Sequence, residues 1–128
     1  MNVKKGFSLI ELMVVVAIVA ILAMVVYPSY MDSMRQSRSA DAQAALQGLA
    51  QAMERFYTSN GTYVGAASAG VPTIFSTKTP IDGSDTYYNL TIQSATASAY
   101  ELAATPDSGG PQAGEDTLTL KSTGERSW

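Results

Sequence analysis

The chain opens on an almost unbroken apolar run. From Phe7 to Val26 only Ser8 and Glu11 interrupt it, and at about 1.5 Å per residue such a run makes a helix about 30 Å long, one hydrocarbon thickness. Lys4 and Lys5 precede the run and no further positive charge follows until Arg35. That asymmetry places the N-terminus in the cytoplasm and the remainder outside. Beyond Pro28 the pattern changes. Leu46, Leu49, Met53 and Phe56 recur at three and four, with Ala42, Ala45, Ala52 and Tyr57 on the same side, while Asp41, Gln43, Gln47, Gln51 and Arg55 lie largely off the stripe. This spacing predicts an amphipathic helix, stopped near Ser59-Asn60-Gly61 by residues that favour a helix C-terminus. Residues 7–58 therefore read as one long helix. Its bend is expected near Pro28, whose ring removes a donor and crowds the preceding turn. Gly48 costs that helix about 1 kcal/mol relative to Ala, which hints at close packing there.

After residue 60 the period shortens. Residues 60–86 are rich in Gly, Ser, Thr, Ala and Pro, with Tyr63, Val64, Ile74 and Phe75 as scattered anchors. Three stretches then alternate: YYNLTIQ at 87–93 sets Tyr88, Leu90 and Ile92 on one side, AYELAAT at 99–105 sets Tyr100, Leu102 and Ala104, and DTLTLKS at 116–122 sets Leu118 and Leu120. Short separations suggest an antiparallel meander with one apolar face, laid on the stripe of the second half of the helix. The expected fold is α+β, a long N-terminal helix packed on a small antiparallel sheet.

Composition narrows the chemistry. The 128 residues contain no cysteine and no histidine, so a disulfide framework, a thiolate metal site and an imidazole base are all excluded. Charged residues are only 15% of the chain and the net charge is -3, which argues against a broad nucleic-acid footprint. Glu11 is the anomaly, because a carboxylate within a membrane segment is expensive. A secretory signal peptide would have a shorter apolar core and a small-x-small cleavage site. A plain anchor explains the lysines but not the glutamate. A cut after Gly6 would make Phe7 a new N-terminus, whose amine could pair with Glu11 of a neighbouring copy. Such a costly buried pair sets register in an assembly.

These residues also carry a resemblance. KKGFSLIELMVVVAIVAILAMVVYPSY strongly resembles the N-terminus of type IV pilins, and the looser blocks ALQGLAQAMERFYTSNGTYVGA, YYNLTIQSATASAYELAATP and DTLTLKSTGERSW resemble short Gram-negative members of that family. The resemblance implies cleavage between Gly6 and Phe7 by a prepilin peptidase, N-methylation of Phe7, Glu11 as the residue of assembly and register, and Pro28 at the helix bend. It implies a leader at 1–6, a transmembrane and filament-core half at 7–27, an amphipathic half at 28–59 and a globular region at 60–128. The chain is then a non-enzymatic pilus subunit, major or minor, serving adhesion, twitching motility or DNA uptake. Before assembly it would sit in the inner membrane with its N-terminus cytoplasmic. Its partners would be its own copies or other pilins, the peptidase and the inner-membrane assembly machinery. No cofactor is expected.

Two departures stand out: no glycine lies between Phe7 and Pro28, and the C-terminal disulfide usual in the family is missing. The loop up to Trp128 must then be held by packing, hydrogen bonds or neighbours, with the Trp128 ring a candidate to tuck into the domain. A pseudopilin of type II secretion is the alternative within the class, and a monomeric membrane-anchored periplasmic binding protein the alternative outside it. The acidic residues Asp82, Asp85, Asp107, Glu115 and Asp116 read as solvated turns rather than as a calcium site. Lys78, Lys121 and Arg126 are the candidate contacts to DNA phosphates, three scattered positives on an acidic domain.

Overall fold

The structure, a computed structural model, describes Met1 and residues 4–128; Asn2 and Val3, part of the expected leader, lie outside the described residues. The chain forms two compact units, Met1–Met34 and Arg35–Trp128. Helix α1 (Leu9–Asn60) contributes to both and contains Pro28.

Helix α1 lies within two residues of the expected bounds at each end and stops at the expected Ser59-Asn60-Gly61 signal. The helix begins at Leu9 because Ser8 is its cap. The Ser8 N–H donates to the Glu11 carboxylate at 2.7 Å, and the Glu11 N–H donates to Ser8 Oγ at 3.3 Å. This reciprocal Ser-x-x-Glu box satisfies two N–H groups that a helix start leaves open. At the other end the side chains of Thr58, Ser59 and Asn60 donate to the carbonyls of Glu54, Arg55 and Phe56 at 2.9, 3.2 and 2.9 Å. The helix runs to Asn60, the Gly61 N–H donates to the Tyr57 carbonyl at 2.7 Å, and Gly61 leaves at a φ of 70°, a conformation glycine adopts at little cost.

Among its described residues the first unit buries none. Its most apolar 18-residue window has a mean hydropathy of 3.1 and no buried residue. Side chains from Phe7 through Tyr30 are exposed throughout. A continuous apolar surface of that extent needs lipid or protein around it.

The second unit holds the core. Strand β1 (Ala67–Ser68) pairs with β2 (Val71–Pro72) in a small hairpin; β3 (Lys78–Thr79), β4 (Tyr88–Ala95), β5 (Tyr100–Pro106) and β6 (Leu118–Lys121) form an antiparallel sheet in that order. The three longer strands are those the alternation predicts, each shifted by a residue or two. The short β1, β2 and β3 fall in the stretch expected to be loop. Leu90 sits opposite Ala104, and Leu102 opposite Leu120. The inward residues Tyr88, Leu90, Ile92, Tyr100, Leu102 and Leu118 are buried against Ala42, Ala45, Leu46, Leu49 and Met53 of α1. Burying each of the larger aliphatic side chains stabilises by about 1.5–3 kcal/mol. Tyr57 departs from the expected stripe and is 39% exposed, its ring lying against Tyr63 at 4.7 Å between centroids. Gly48 has its packing partner in Phe75: a Cβ there would stand 2.9 Å from the ring, too close for any side chain without displacement.

Hydrogen bonds hold the cysteine-free end. Gln112 is fully buried, and its Nε2 donates to the Arg35 carbonyl and to Tyr88 Oη, both at 3.2 Å. One side chain thus ties the 107–117 loop to helix and sheet. Gln112→Leu is expected to destabilise the detergent-solubilised protein by about 1–3 kcal/mol, since buried partners lose their donor, measured as a lower Tm. Beyond β6 the chain turns back: the Lys121 N–H donates to the Glu125 carbonyl at 2.9 Å, the Ser127 N–H to the Thr119 carbonyl at 3.1 Å, and the Lys121 ammonium meets Glu125 at 3.0 Å. Trp128 tucks in only in part, lining a hollow with Ser39, Tyr88 and Leu118. It remains 37% exposed, with the Arg126 guanidinium 5.5 Å from its ring.

At the far end of α1, Tyr63 Oη donates to both Glu54 oxygens, at 3.0 and 3.2 Å, and its ring meets Tyr100 edge-on at 4.9 Å. Burial first and the Glu54 charge second push the Tyr100 phenol up to about 12; burial first and the hydrogen bond to Glu54 second raise Tyr63. A phenol whose folded pKa lies above its unfolded value of about 10 contributes stability that is complete below pH 10 and lost as pH rises towards 12. The Tm is therefore expected to fall between pH 10 and 12, and Tyr100→Phe to flatten that fall in a pH series of thermal melts.

Candidate functional site

The unusual chemistry of the chain is concentrated where the first unit begins. Gly6 is exposed and a Cβ on it would touch nothing within 4 Å, so the Gly6–Phe7 bond stands free of its surroundings. Phe7 is 85% exposed. The Glu11 carboxylate is held by the Ser8 N–H at the first turn of α1, where the partial positive charge of the helix start favours an anion. Phe7, Ile10, Val14 and Val15 surround it in an open apolar hollow of about 340 Å³. The carboxylate is thus not alone within its own chain, as the sequence pattern alone suggests. Ser8 was the missed residue, although the Ser-x-x-Glu spacing is itself a readable signal. The arrangement leaves one anion, held by a hydrogen bond from Ser8, beside an open apolar surface.

The other candidate chemistry is dispersed. Among the described residues no three of His, Cys, Asp and Glu converge. The 82–85 turn is bound by the Lys78 ammonium, which donates to the carbonyls of Gly83 and Asp85 at 2.6 and 3.0 Å. The three basic residues singled out for phosphate do not gather: Lys78 is engaged there, Lys121 by Glu125, and Arg126 stacks over Trp128. Arg35 faces Glu115 at 3.9 Å, and Arg38 lies 4.6 Å over the Tyr87 ring.

Residues 1–27 match the family model of the prokaryotic N-terminal methylation motif, and residues 28–120 match that of the type IV minor pilin ComP, described as a DNA uptake sequence receptor. Fimbrial protein EcpC of Eikenella corrodens is 34% identical over 133 residues, covering 99% of this chain and 82% of that protein. A fimbrial protein of Neisseria meningitidis serogroup B is 42% identical over 73 residues, covering 56% of this chain and 43% of that protein. In structure the chain is similar to the non-core minor pilin PilV of Neisseria meningitidis, with a TM-score of 0.56 and 25% identity over 74% of this chain and 86% of that one. The helix capped at Glu11, the sheet laid on its second half and these matches lead to one assignment: the chain belongs to the type IV pilin family and is a non-enzymatic subunit of a type IV pilus.

Proposed function

We propose that the chain is made as a precursor, cut between Gly6 and Phe7 by a prepilin peptidase and methylated on the Phe7 amine. Residues 1–6 are then the leader, 7–27 the membrane and filament-core segment, 28–59 the amphipathic half-helix and 60–128 the exposed globular region. Lys4 and Lys5, followed by no cation before Arg35, orient the precursor in the inner membrane with its N-terminus in the cytoplasm. During assembly the Phe7 ammonium of one subunit meets Glu11 of its neighbour, which sets axial register, and Pro28 is where the helix bends. The single observation that carries this reading is Glu11, one carboxylate in an otherwise apolar surface, a few residues after an unobstructed Gly6–Phe7 bond. The test is the intact mass and N-terminal peptide of protein sheared from the cell surface. A chain starting at methylated Phe7 supports the scheme, whereas one starting at Met1 and confined to membranes refutes it.

The match over residues 28–120 to a DNA uptake receptor model favours a second reading, in which the assembled subunit contacts DNA during uptake. Arg126 is exposed, with its guanidinium over the Trp128 ring, and is the cation best able to reach phosphate from an assembled subunit. With six basic against nine acidic side chains between residues 35 and 128, few phosphates can be neutralised. Binding by sheared filaments should therefore weaken only shallowly with salt, with a slope reflecting one or two contacts. No retention of duplex DNA at low salt would remove this reading.

A further inference from the structure

A cleft of about 430 Å³ opens in the second unit between α1 and the loop around β3. One wall is the Phe75 ring packed on Gly48, and Ile81, 54% exposed, forms the lip. Thr79 lines the cleft, is 2% exposed, and its Oγ1 has no hydrogen-bond partner. The carboxylates of Asp41 and Asp82 stand at the rim, both exposed. Among the described residues neither is in an ion pair, since the two pairs present are Arg35–Glu115 and Lys121–Glu125. Apolar walls and an acidic rim suit a long aliphatic stem ending in a cation, which is the chemistry of an arginine side chain.

The second unit offers one arginine to match. Arg35 faces Glu115, Arg38 stacks on Tyr87 and Arg126 on Trp128. Arg55 is exposed and, among the described residues, its guanidinium has no ion pair, hydrogen bond or aromatic partner. We propose that in the filament this cleft receives Arg55 of a second copy of this chain. Its own Arg55 cannot fill it: Gly48 and Asp41 lie seven and fourteen residues earlier on the same helix, about 10 and 21 Å along the axis, beyond the reach of one side chain. Parallel copies staggered by that distance bring the two together. The contact rests on the assembly reading above and adds to it a lock outside the membrane segment, sensitive to salt where the Phe7–Glu11 pair is shielded.

The cysteine-free sequence makes the test direct. Arg55→Cys and Asp82→Cys chains are expressed together, filaments are sheared off and oxidised, and dimers are read on a non-reducing gel. Dimer is expected only when both variants are present, and the same result is expected with Ile81→Cys in place of Asp82→Cys. In a second arm, Asp41→Lys with Asp82→Lys is expected to cut filament yield at least about tenfold by setting like charges face to face, and Arg55→Glu in that background to restore it. Filaments at normal yield without dimer from either cysteine pair overturn the contact alone. A chain that never leaves the membrane, even unsubstituted, overturns the assembly reading and the contact with it.

Discussion

Gly6→Val is expected to leave the full-length chain in the membrane and to reduce surface filaments to background. The physical basis is access. Gly6 has open space where a Cβ would stand, and under the proposed processing a peptidase closing on the Gly6–Phe7 bond would meet nothing there but hydrogen. A β-branched side chain fills that space and stiffens the backbone at the cut. Without cleavage no α-amino cation forms at Phe7, and the Glu11 of every neighbour loses its counterion. Insertion itself should be unaffected, because the apolar window responsible for it, at a mean hydropathy of 3.1, is untouched. An immunoblot of membranes and sheared material checks both halves: precursor at normal abundance in the first, none in the second. Normal filaments from this variant would end the processing scheme.

Substitution of Glu11 separates two tasks of one carboxylate, one seen in the structure and one proposed. It closes the Ser8 capping box within its own chain, and in the proposed filament it meets a neighbour's ammonium. Glu11→Gln keeps an acceptor of the right length for the box and removes only the charge. Glu11→Leu removes both. If the charge governs assembly, both variants insert, are processed, and lose filament yield at least about tenfold, because a buried ammonium without its anion is strongly unfavourable. If capping is what matters, Glu11→Gln assembles normally while Glu11→Leu fails and shows reduced helicity at the N-terminal turn. Filament counts by electron microscopy, with precursor processing followed in parallel, distinguish the two. The expectation here is the first outcome.

The C-terminal region shows how a subunit of this kind dispenses with a disulfide. A cross-link acts mainly by restricting the unfolded chain, typically by about 2–4 kcal/mol. In its place stand Gln112, planted between the Arg35 carbonyl and Tyr88 Oη, and a turn of backbone hydrogen bonds from Thr119 to Ser127. These are native-state interactions, broken one at a time, so the end of the chain should open locally more readily than a covalently closed loop.

The sequence by itself determined the elements whose signal is local. A 3.6-residue period marked the stripe from Ala42 to Met53, and a two-residue period marked the inward faces of β4 and β5, because burial on one face leaves its imprint at fixed spacing along the chain. Glu11 was legible as the odd residue for the same reason, and its cap was written beside it in Ser8. What only the tertiary structure decided are pairings between residues far apart in the chain. Gln112 reads as an ordinary loop polar residue until the fold places it beside Arg35 and Tyr88, 77 and 24 positions away. Phe75 reads as a loop anchor until it fills the space that Gly48 leaves. Lys78, Lys121 and Arg126 look alike as free cations, yet each is engaged, and among the described residues of the second unit Arg55 is the one left over. Such meetings depend on how Gly- and Pro-rich loops reverse the chain, and local periodicity carries no information about where those reversals bring two distant side chains together.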